Sequence, residues 1–145
     1  SRMFNRYASN YLDESNEPLY PFGYGLSYTD FVYGELQISS ETLPKNGELT
    51  VSVTVTNKGN YDGYETVQLY LRDIYAEVAR PMKELKGFER IFLKSGESRD
   101  VKFVITKDDL KFYNSELHYV YEPGEFDVMV GPNSRDVQTK SFQAE

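Results

Sequence analysis

The chain contains no cysteine, no tryptophan and a single histidine. Without cysteine there is no disulfide framework, no thiolate metal site and no thiol nucleophile. One histidine leaves no partner for a His-based metal site and little material for a nucleophile–base pair. No run of about 18 apolar residues occurs, and nothing in the sequence reads as a secretory signal, so no membrane partner is expected of the chain as it stands. Clustered basic charge is missing too. The formal net charge is −7, and lysine and arginine are scattered among acids, as in Lys83-Glu84 and Glu89-Arg90. Phosphate backbones are bound by clustered cations, so a nucleic-acid partner is excluded.

What is present points to one globular unit. The 145 residues are 39% apolar and 15% aromatic, enough for a single core. The aromatics are 13 Tyr and 9 Phe. Tyrosine suits half-buried surfaces, where the ring packs and the hydroxyl stays hydrated.

The chain divides into two unequal parts, residues 1–30 and 31–145. Residues 1–16 are polar, with isolated Phe4, Tyr7 and Tyr11. Pro18 to Tyr28 then carries two prolines and two glycines in eleven residues, which excludes a regular helix or central strand. It is too aromatic for a flexible spacer, and an extended arm packed on a neighbouring surface is expected.

From Phe31 onward the period is that of β-structure. Leu49, Val51, Val53 and Val55 share one face, and Thr50, Ser52, Thr54 and Thr56 the other, wetter one. Asn57 to Asn60 closes that strand with residues that accept positive φ. Similar runs cover 65–71, 85–93, 101–105, 126–130 and 137–142, and with 31–38 about seven strands are expected. Residues 107–113 offer the one helical turn, with Asp108 and Asp109 near its start. The expected class is all-β, a two-sheet sandwich of the immunoglobulin-like or fibronectin type III-like kind, preceded by the extended arm. The antibody version needs a cysteine pair and a tryptophan and is excluded.

Catalytic chemistry finds little support. His118 lies in a plausible strand, Leu117 to Tyr121, facing solvent or capping an edge. The carboxylates Asp13, Glu14, Glu84, Glu89, Asp108, Asp109, Glu122 and Glu125 flank turns or wet faces, and no pair is placed to do the work of glycosidase carboxylates. Asn57, Asp62 and Asp73 do not fit the spacing of a calcium loop. Gly23-Tyr24-Gly25 precedes a strand, so it is no phosphate loop. No catalytic residue, metal ligand or cofactor is expected. Tyr61, Tyr64, Tyr70, Tyr75, Tyr119 and Tyr121 keep a weak sugar-stacking platform open, against the plainer reading that they fill sheet positions.

Four ordered stretches carry a resemblance. They are Pro21 to Thr29; Val55 to Gly59 leading through Gly63 to Leu71; Pro81 to Arg90; and Glu122 to Gly131. Together they resemble the C-terminal fibronectin type III-like domain of family 3 glycoside hydrolases, the β-glucosidase and β-xylosidase group. That resemblance implies retaining hydrolysis performed elsewhere, by an aspartate nucleophile on a barrel domain and an acid/base residue usually on an α/β domain. This chain contains neither domain, so it inherits no catalytic residue. The implied role is that of a noncatalytic module of a periplasmic or secreted enzyme, bracing its catalytic domains and a possible homodimer. Tyr20, Phe22, Tyr24 and Tyr28 are the expected anchors of the arm on those domains. A carbohydrate-binding module and a free-standing interaction domain are the rival readings.

Overall fold

The computed structural model describes residues 29–74, 83–114 and 116–145. Among them lie β1 (Phe31–Tyr33), β2 (Gln37–Ile38), β3 (Thr42–Leu43), β4 (Leu49–Asn57), β5 (Gly63–Asp73), β6 (Lys83–Leu93), β7 (Ser98–Ile105), β8 (Lys111–Tyr113), β9 (Tyr119–Tyr121), β10 (Gly124–Gly131) and β11 (Gln138–Ala144). A single 3-10 turn, Lys107–Leu110, precedes β8. One sheet is formed by β1, β4, β2 and β7, with β4 at its centre; the other runs β3-β11-β10-β5-β6. The two stack face to face as an all-β sandwich. The arm expected over residues 1–30 lies almost entirely outside the described residues.

The core follows from alternation. Leu49, Val51, Val53 and Val55 of β4 face Val67, Leu69 and Leu71 of β5, and all are buried. Phe126, Val128 and Val130 of β10 complete the layer, with Phe126 stacked on Phe142 at 5.8 Å between centroids. Thr54 on the other face of β4 is exposed, as the sequence pattern requires.

Two expectations need correction. Residues 31–38 are not one strand. Leu36 turns into the core, breaking the ladder between β1 and β2. Its amide donates to Gln138 Oε1 at 2.9 Å, and Gln138 Nε2 donates to the Gly34 carbonyl at 2.6 Å. One side chain from the opposite sheet thus satisfies the backbone groups that the break releases. The turn after β4 is also different from expectation. No residue from 57 to 60 has positive φ; β4 runs one residue further, and Asn57 makes the corner with its side chain.

Asn57 is fully buried. Its Nδ2 donates to the carbonyls of Tyr61 at 2.8 Å and Leu93 at 3.0 Å, while Oδ1 accepts from the Gly59 amide at 2.9 Å. Its backbone pairs with Glu97 and Gly96 at the tip of the β6–β7 turn. There Gly96 does need its φ of 84°. Every polar atom of the amide faces a partner, the condition for burying it without loss.

Asn57→Ala strands an amide and two carbonyls, so chemical denaturation should show a loss of about 2–4 kcal/mol. Thr54→Ala, on the exposed side of the same strand, should cost below about 1 kcal/mol. Equal losses would mean that the buried amide is not what holds this corner.

Candidate functional site

Three places in the described structure concentrate polar or aromatic chemistry. The first is the corner where the arm joins the sandwich. Asp30 accepts at its carbonyl from the Lys58 amide at 2.7 Å. Thr29 Oγ1 donates to the Tyr61 carbonyl at 2.5 Å. Gly59 makes room for this approach: a methyl there would lie 2.6 Å from the Asp30 nitrogen and 2.8 Å from Thr29 Cα. Ser95 Oγ donates to the Gly59 carbonyl at 2.6 Å, and the Ser95 amide donates to Asp62 Oδ1 at 2.8 Å. Asn57 and Asp62 therefore serve as hydrogen-bonding struts. Asp73 sits at the far end of β5, so the three residues weighed for calcium do not converge. Among the described residues no group of three His, Asp or Glu side chains could hold a metal ion.

The second place is a half-buried acid, Glu65. Tyr33 Oη donates to Glu65 Oε2 at 2.6 Å. Burial raises the Glu65 carboxyl to about 7, although the tyrosine bond pulls the other way. Burial, and secondarily the negative charge of Glu65, push the Tyr33 hydroxyl upward. Sequence reasoning passed over Glu65. The signal was its parity, since it lies on the same strand face as Val67, Leu69 and Leu71. A lone carboxyl with a raised pKa resembles a general acid, but among the described residues Tyr33, and no second carboxylate, is its partner.

The third place is a lysine among rings. The bulge at Leu69/Tyr70 shifts the β5–β6 register, and the Lys86 side chain is only 9% exposed. Its Nζ lies 4.5 Å from the Phe112 ring centre and 5.3 Å from that of Tyr119. It donates to the Lys111 carbonyl at 2.8 Å and Tyr119 Oη at 3.1 Å, and pairs with Glu84 at 3.2 Å. Lys86 thereby ties the β8–β9 hairpin to β6, and Phe112 closes that end of the core beside Phe126. His118 lies in the hairpin turn, not in a strand, and is exposed 3.8 Å from Glu116. Asn114 shapes that turn by accepting from the Glu116 and His118 amides.

The weighed tyrosines do not assemble into one row. Tyr61 and Tyr64 are exposed near the arm corner. Tyr119 stacks with Tyr113 on the hairpin at 4.9 Å, beside Lys86 and about 20 Å along β6 from Phe92 by strand rise. Tyr70 and Tyr121 are half-buried; Tyr75 lies outside the described residues. So do the anchors Tyr20, Phe22, Tyr24 and Tyr28, and the acids Asp13 and Glu14. Asp109 Oδ2 accepts from the Thr106 amide at 2.9 Å and so caps the 3-10 turn.

Comparison with known proteins gives one consistent result. Residues 65–134 match the family described as "Fibronectin type III-like domain". The chain is 49% identical over 139 residues to a periplasmic β-glucosidase of Salmonella typhimurium, a match spanning 96% of this chain and 18% of that protein. It is 47% identical over 137 residues to a putative β-xylosidase of Formosa agariphila, spanning 94% and 18%. Among solved structures, a β-glucosidase from Erythrobacter marinus superposes with a TM-score of 0.74 at 39% identity, over 94% of this chain and 18% of that one. The chain thus spans about a fifth of the length of the relatives it matches.

Two outcomes are expected. With its folded pKa raised from 4.5 to about 7, Glu65 binds its proton more tightly in the native state. Its contribution is fully present below pH 4.5 and is lost as pH rises through 7, a decline of about 2–3 kcal/mol. Glu65→Gln keeps an acceptor for Tyr33 and should flatten stability between pH 5 and 8; an unchanged slope would place the titrating group elsewhere. Lys86→Met preserves bulk but removes the charge and its donors. It should speed amide exchange across residues 112–121 and cost about 1–2 kcal/mol.

Proposed function

The chain carries the fibronectin type III-like domain of family 3 glycoside hydrolases, and from that premise we propose that it is a noncatalytic module bracing the catalytic domains of a larger β-glycosidase. The observation behind this reading is one of proportion. Relatives called β-glucosidase and β-xylosidase match the chain almost end to end, yet it accounts for under a fifth of their length. What the module's own residues do agrees with this. The buried Asn57 and the half-buried Glu65 and Lys86 are each engaged with neighbouring structure. None of them faces a water-excluding cleft that could hold a substrate.

In this reading the parent removes β-linked glucose or related sugars, and the module holds its domains in their working arrangement. Tyr20, Phe22, Tyr24 and Tyr28 precede the corner at Thr29 and anchor the arm on the catalytic domains. Their rings supply contact area at little entropic cost. The periplasmic name of the Salmonella relative supports an exported location. A sugar-binding module is the second reading, and Tyr61 and Tyr64, exposed together, are what favours it.

Removing residues 29–145 from the parent enzyme should lower its melting temperature by about 5 °C or more. The kcat/KM of the enzyme still folded should stay close to that of the intact protein. A truncated enzyme with full thermal stability would rule out the bracing role.

A further inference from the structure

The two outer faces of the sandwich differ in kind. On the sheet containing β4 and β7 the outward positions are Thr50, Ser52, Thr54, Thr56, Ser98, Asp100 and Lys102, with two separated exposed valines, Val104 beside Thr50 and Val32 beside Thr56. On the opposite sheet the register sets Tyr64 beside Phe92, Thr66 beside Arg90, Gln68 beside Phe88 and Tyr70 beside Leu85, all facing outward. Four of these are large and exposed: Tyr64 at 59%, Phe88 at 58%, Leu85 at 50% and Phe92 at 39%. Lone exposed apolar residues need no explanation, but a contiguous set on one face does.

The patch ends where the chain covers itself. Next to it, Met129 of β10 also points outward, yet it is buried. The loop after β10 closes over that half: Gln68 Nε2 donates to the Pro132 carbonyl at 3.2 Å, and Lys83 Nζ to that of Ser134. The loop reaches β6 only at its first residue, Lys83, and leaves Phe88 and Phe92 open. Of the outward cations of β5 and β6, Lys83 is bonded to the loop and Arg72 pairs with Asp127 at 3.9 Å, so the charge standing among the open rings is Arg90. The Arg90 guanidinium lies 4.1 Å from the Tyr64 ring centre. Aromatic side chains with arginine are the composition of buried interface centres.

We propose that this face of β5 and β6, built on Tyr64, Leu85, Phe88 and Phe92, is the surface by which the module docks on the remainder of its parent polypeptide. The inference rests on the bracing role and adds to it the side of the module that makes the contact. Three observations select this occupant. The described chain starts at Thr29, against Gly59 and 3.6 Å from where a Gly63 side chain would begin. The point at which the preceding polypeptide joins the sandwich therefore lies at the Tyr64–Phe92 end of β5 and β6. Relatives are about five times longer than this chain, so a large body is available there. A second copy is disfavoured, because a two-fold contact through this patch offers Arg90 no outward acid of β5 or β6 to meet. A sugar chain is disfavoured because Tyr64 and Phe92 are tilted by 59° and offer no flat platform. The docking surface on the parent is apolar with an acidic margin.

The absence of cysteine from this chain makes a labelling experiment direct. Phe88→Cys, Tyr64→Cys and Val104→Cys are made singly in the parent enzyme, and maleimide labelling of each position is followed by peptide mass spectrometry under native conditions. Labelling at positions 88 and 64 is expected to be at least about tenfold slower than at 104. Equal rates at all three would overturn the docking face. If the parent also loses stability when residues 29–145 are removed, bracing survives and acts through another surface. If removal has no effect, bracing fails, and protection at 88 and 64 then reports docking alone. Protection that disappears on dilution to a monomer, followed by light scattering, would assign the face to a second copy and overturn the proposal.

Discussion

A buried carboxamide must have all its hydrogen bonds or destabilise what surrounds it. Asn57 satisfies that condition by gathering three separate pieces of chain: the end of β4, the start of β5 and the end of β6. The β6–β7 turn and the first described residues of the arm are bonded to the same corner. The strands could slide on their apolar faces at modest cost, but the amide admits one arrangement. The point at which the arm meets the sandwich is fixed with it, and so is the face of β5 and β6 that lies beside that point.

Much of this was legible in the sequence, and the reasons for success and failure are the same. Alternation works where one face is dry and one wet, and it located β4, β5, β7 and β10 to within a few residues. It fails where a strand is interrupted within its sheet. Residues 31–38 read as a single strand because nothing local announces that Leu36 turns inward; the residue that makes the break tolerable, Gln138, is 102 positions away. The two-residue β3 was too short to show a period, β8 was read as the end of a helical turn, and β9 was read as a strand that began two residues too early. Asn57 was recognised as a terminator of β4, but a buried amide looks like a turn residue until its partners are known. Glu65 was visible by parity and was passed over because its residue type outweighed its position. Lys86 could not have been found, since its partners come from an element 25 residues on.

Several acids and bases of this chain are spent on holding the sandwich together. Glu65 is held under a tyrosine, Lys86 under two rings, Asp62 and Asp109 on backbone amides. Each finds its partner within the fold, and none meets a second titratable group across a cavity. The result is polarity directed inward to fix geometry, while rings and Arg90 stand open on the outer face of β5 and β6.

The corner at Thr29 also has a mechanical meaning. A neighbour that shifts pulls on the module through the strand that leads from that corner, and β1 has only three residues paired with β4. Tension is shared at once with the Lys58–Asp30 bond and the Thr29–Tyr61 bond, both outside the apolar core. The attachment therefore behaves as a short hinge pin set in a rigid block. Strain is taken up at the rim, and the packed interior is left undisturbed.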